Sequence, residues 1–84
     1  MSDVAHSLIY EREKASLAKA DQDIADGERR ITAQMVLLDQ LRVDGHDTRE
    51  AEHLLTAMQE LLTQFYRHRD EILGRLERLR SGQH

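Results

Sequence analysis

Eighty-four residues without a single proline leave almost nothing to stop a helix once it has started. Four glycines are the main remaining punctuation, and one of them sits in a stretch that reads as a helix stop and a helix start together: Val43-Asp44-Gly45-His46-Asp47-Thr48. Gly45 suits the left-handed position that follows a helix end. Asp47 is placed to cap the next helix, and Glu50 follows at the right distance to complete an Asp-x-x-Glu capping box, with His46 just before it. The expected fold is all-α: an antiparallel two-helix hairpin forming one domain over 1–84. The spacing predicts helix 1 over about 3–44, a turn at 44–47, helix 2 over about 48–80 and a loose tail at 81–84.

The apolar pattern supports two long helices. In the second, Ala51, Met58, Phe65, Ile72 and Leu79 recur at heptad spacing, with Leu54/Leu55, Leu61/Leu62, His68/Arg69 and Leu76 as companions. In the first, Leu17, Ile24, Ile31 and Leu38 recur in the same way, accompanied by Ala20, Gly27/Glu28, Met35 and Leu41. The expected core stripe is Leu17, Ile24, Gly27, Ile31 and Leu38 against Leu54, Met58, Leu61, Phe65, Ile72 and Leu76. It is wider than a strict coiled-coil seam, as expected inside a bundle. The heptads run through Gly27 without a phase slip, which favours a continuous helix over a turn at Asp26-Gly27. Val4 and Leu8 lie off the stripe, so the segment before Tyr10 is expected to fray or to meet a second chain.

A short connection makes the helices antiparallel neighbours, with facing residue numbers that sum to about 90. Gly27 then leaves room for Phe65, and Asp21 faces Arg69. The opposed ends are complementary, residues 1–26 carrying net charge −3 and residues 67–84 net charge +2. One seam between two helices is a thin core, and Val36, Leu37, Leu73 and the paired leucines leave apolar surface outside it. A homodimer closing a four-helix bundle is therefore expected.

Composition narrows the function. The absence of cysteine removes disulfides, thiolate nucleophiles and cysteine-based metal centres. Net charge of −4 argues against nucleic acid as a partner. The longest apolar run, Met35 to Leu38, is far too short to span a bilayer. The opening residues lack the pattern of a secretory signal, so a cytoplasmic protein is expected.

The stretch from about Ala18 to Leu73 resembles a group of short, uncharacterised bacterial helical-hairpin proteins. The resemblance is carried by Asp21 to Ile31, by the Gly45-His46-Asp47-Thr48 turn with Ala51 and Leu54-Leu55, and by His68-Arg69 with Ile72-Leu73. It implies a helical hairpin and supplies no catalytic residue.

Four constellations have the residue types for chemistry. Asp21 with His68 and Arg69 forms a polar layer that either binds a ligand or fixes helix register; register is the preferred reading. Glu50 and His53 have the Glu-x-x-His spacing of bundle metal sites, with Glu28 as the one further donor. An exposed histidine near a helix start is the commoner meaning, so no metal and no cofactor is expected. The second helix start could hold an anion, but Asp47 already supplies negative charge there. The arginines at 67, 69, 75, 78 and 80 are interrupted by Asp70, Glu71 and Glu77, which reads as a solvated face. No nucleophile–base arrangement and no glycine-rich phosphate loop is present. The sequence therefore points to a non-enzymatic helical dimer, a structural or protein-interaction module whose partner is itself or a further, unidentified protein. A metal- or ligand-binding bundle is the alternative, and anion binding through the C-terminal arginines a weaker one.

Overall fold

A computed structural model describes residues 2–82, with side chains from residue 3 onward; Gln83 and His84 of the expected tail lie outside the described residues. Two helices, α1 (Ser2–Val43) and α2 (Arg49–Arg80), pack antiparallel as a hairpin. The molecule is a rod of 66 × 14 × 14 Å. No helix among the described residues is long and apolar enough to cross a membrane.

Along α1 the residues withdrawn from solvent include a seam of His6, Tyr10, Glu13, Leu17, Ala20, Ile24, Gly27, Ile31, Gln34, Leu38 and Leu41, with Asp23 and Ala25 half-buried beside it. The spacing along the seam alternates between four and three. Along α2 the same alternation runs through Ala51, Leu55, Met58, Leu62, Phe65, Arg69, Ile72, Leu76 and Leu79. The average period of 3.5, slightly shorter than the helical 3.6, keeps these residues on the side of each helix that faces the other.

That seam is narrower than the sequence suggested. Leu54 and Leu61, expected in the core stripe, are each 49% exposed. Their neighbours Leu55 and Leu62 take the seam instead, because they stand one turn after Ala51 and Met58 in the four-three alternation. In α1 the same phase turns Met35 outward and brings in Gln34, which is 6% exposed. A buried amide needs partners, and Gln34 Nε2 donates to the Ala51 carbonyl at 2.9 Å. Among the described residues no buried side-chain nitrogen or oxygen lacks a partner.

α1 runs unbroken through Gly27. A methyl group there would stand 3.2 Å from Leu62 Cδ1 and 3.8 Å from Phe65 Cδ2. The missing side chain thus admits two large residues of α2, a gain set against the helix-propensity cost of glycine, about 1 kcal/mol. The segment before Tyr10, expected to fray or to meet a second chain, belongs to α1, which is helical from Ser2. His6 and Tyr10 continue the seam there with polar side chains, and His6 Nε2 donates to the Leu79 carbonyl at 2.8 Å.

The turn is set by Gly45, whose φ is +76°. The His46 amide donates to the Leu41 carbonyl at 2.9 Å and the Gly45 amide to the Arg42 carbonyl at 3.1 Å. These two bonds form a Schellman motif, which satisfies carbonyls the helix end would leave open.

Candidate functional site

The capping box expected at Asp47 and Glu50 does not form. α2 begins at Arg49, and Thr48 occupies the cap position without a side-chain bond to the backbone. Asp47, one residue further out, accepts the Arg49 amide at 3.0 Å. It also accepts both Nε and a terminal nitrogen of the Arg49 guanidinium. The carboxylate therefore meets a free helix amide from outside the cap. The Arg49 side chain and then its amide hold the Asp47 carboxyl below its ordinary pKa, and Arg49 is raised in turn. Thr48 Oγ1 donates to Glu52 Oε2 at 2.8 Å, a bond between side chains that leaves the helix amides unaddressed. Glu50 stays exposed, and His46 lies two residues before the cap.

Of the expected polar layer the structure joins two members. Arg69 Nε donates to Asp21 Oδ1 at 2.5 Å across the helices. That hydrogen bond, reinforced by the nearby charge, raises Arg69 above its usual pKa. His68 is not part of the pair. It is exposed, with Nδ1 4.0 Å from Glu71 Oε1, and lines a shallow open pocket with Ala15, Ser16, Lys19, Ala20 and Asp23. The reason is again helix phase: Arg69 stands on the seam and His68 one position outside it.

Sequence reasoning missed further links between the helices. Arg75 Nε donates to Glu13 Oε1 at 3.0 Å, and the Tyr66 hydroxyl donates to Glu28 Oε2 at 2.5 Å. The Glu28 bond is the first cause of a raised Tyr66 pKa. Facing numbers that sum to about 90 bring all these pairs within reach, so the signal was present.

Glu28, Glu50 and His53 are not brought together. Glu28 is bonded to Tyr66, and among the described residues no group of three histidine, aspartate or glutamate side chains is arranged to hold a metal ion. Of the C-terminal arginines, Arg69 and Arg75 pair across the seam with acids of α1, and Arg80 pairs with Glu77.

The remaining feature is apolar. Gly27, Arg30, Leu54, Ala57, Met58 and Leu61 line an open groove of about 280 Å³ on one side of the hairpin. Its floor is the close approach at Gly27 and its walls are the outward leucines. Comparison with family models, with curated proteins and with solved structures finds no match for the chain.

Proposed function

We propose that the protein is a non-enzymatic interaction module: a helical hairpin that pairs with a second copy into a four-helix bundle and acts as a structural or docking unit. The observation that carries this reading is the exposure of Leu54 and Leu61 beside a seam that is already filled. A leucine exposed singly means little, but two lining one groove together with Ala57 and Met58 mark an interaction surface.

The surface area supports the same reading. The hairpin exposes 6531 Å², roughly a quarter more than the about 5,200 Å² expected of a compact monomer of this mass. A standard interface removes about 800 Å² from each partner. Pairing would thus offset much of the excess that the rod shape creates. A symmetric dimer also needs no second gene product to cover the face.

Sedimentation velocity across the micromolar range tests the proposal. A dimer mass is expected, with a melting temperature that rises with protein concentration. A monomer throughout that range, with a concentration-independent melt, overturns it.

A further inference from the structure

Two charged residues near the groove stand apart from their neighbours. Arg29 pairs with Asp26, and Arg49 with Asp47. Arg30, on the groove wall, and Glu50, one turn before Leu54 on α2, have no ion-pair partner among the described residues. Each is exposed and of opposite sign to the other.

We infer that this groove is the surface on which two copies of the chain meet, with their α2 helices antiparallel about a two-fold axis between Ala57 and Met58 and with Arg30 of each copy against the partner's Glu50. The inference rests on the self-association proposed above and specifies its geometry. The outward stripe of α2 reads Glu50, Leu54, Ala57, Leu61, Gln64, and its centre is the small residue. Reversed upon itself about a point between Ala57 and Met58, the stripe sets Leu54 against the partner's Leu61, and Leu61 against the partner's Leu54. The small side chain beside the axis lets the helices approach closely. This is the self-complementarity that an isologous interface requires.

Charge then selects between the two ways of stacking the hairpins. Arg30 and Leu61 line the groove together. In the antiparallel arrangement Leu61 meets the partner's Leu54, and Glu50 lies one turn beyond that leucine, roughly 6 Å along the helix. An arginine side chain spans that distance. With the turns at the same end, Arg30 would instead stand at the level of the partner's Arg30, and two like charges beside an apolar patch oppose association. The antiparallel arrangement separates the two arginines and supplies each with an acid.

The experiment uses the full chain and variants at exposed positions, with helix content followed by circular dichroism. Leu61→Glu is expected to weaken the dimer by about thirtyfold or more, as for a central interface residue. Arg30→Glu and Glu50→Arg are each expected to weaken it on the order of tenfold. The Arg30→Glu/Glu50→Arg double variant should recover most of the wild-type affinity. The native chain has no cysteine, so Ala57→Cys provides an independent readout: it should form a disulfide-linked dimer on mild oxidation. A dimer that tolerates Leu61→Glu, together with an Ala57→Cys variant that forms no disulfide, overturns this face while leaving self-association standing. A charge reversal as weak in the double variant as in either single variant overturns the Arg30–Glu50 pairing. A wild-type chain that stays monomeric overturns both this inference and the proposal beneath it.

Discussion

Toward the open end of the hairpin, the positions that flank the α2 seam on the groove side are His68 and Arg75. Toward the turn, the same flank carries Leu54 and Leu61. The seam between them differs in the opposite sense. Near the open end it includes His6, Glu13 and Arg69, whereas near the turn Gln34 is its one buried polar residue. Yet the most deeply buried side chain of the described molecule, Ile72 at 0% exposure, lies in the more polar half. It stands between Arg69, bonded to Asp21, and Arg75, bonded to Glu13. The aliphatic stems of long charged side chains cover apolar surface while their heads reach water or an acid. Leucines on a flank have no such head. They extend the apolar surface outward and leave it open. One half therefore closes its own core, and the other carries an apolar face beyond it.

The sharpest way to break this comparison is to truncate one residue from each half. Ile72→Ala should cost about 3 kcal/mol, the ordinary loss for an enclosed aliphatic side chain. Leu54→Ala should cost under about 1 kcal/mol at protein concentrations where the hairpin is monomeric. Urea unfolding of both variants supplies the test. Equal losses would mean that the two halves bury their apolar residues alike.

A second substitution sharpens the account of the half near the turn. Gln34→Leu should raise stability by about 1–2 kcal/mol, because it replaces a desolvated amide by an apolar side chain in an apolar seam. The Ala51 carbonyl is not orphaned, since the helix supplies it with the amide of Leu55. The accompanying cost is orientational, because a single buried polar side chain in a coiled coil favours one register. A loss of stability in urea unfolding would show instead that the bond to Ala51 outweighs its desolvation.

The hairpin itself was legible from two kinds of residue. Heptad spacing of Leu17, Ile24, Ile31 and Leu38 marks a long helix, and the absence of proline lets it run; two helices without strands are what the described residues contain. The choice between adjacent leucines was not legible. Leu54 and Leu55 are chemically identical, and only the partner helix decides which faces inward. Gln34 was passed over for Met35 because hydropathy ranks the methionine first, although the phase of the seam favours the glutamine. At the turn, a carboxylate at 47 could satisfy a helix amide from the cap or from one residue outside it. The guanidinium of Arg49 accompanies the second arrangement, and such an exposed pair leaves little trace in a spacing pattern.

The smallest effect concerns the polar flank opposite the groove. The Tyr66 hydroxyl donates to Glu28, and that bond raises the tyrosine pKa above its ordinary value. A group whose folded pKa is raised contributes fully below its unfolded pKa, about 10 for tyrosine. The contribution is lost as pH rises through the higher folded value, when the phenolate can no longer donate and stands against a carboxylate. Tyr66→Phe lacks the hydroxyl and so lacks that dependence. Thermal melts of the two proteins between neutral and strongly alkaline pH should therefore differ by a constant amount until the tyrosine begins to ionise, and the difference should shrink above that point. A difference that stays constant through tyrosine ionisation would mean that the bond does not link the helices in solution. Cross-helix closure by side chains would then rest on the Asp21–Arg69 and Glu13–Arg75 pairs of the open half, with the Arg42–Glu52 pair and the Gln34 bond to the Ala51 carbonyl holding the half near the turn.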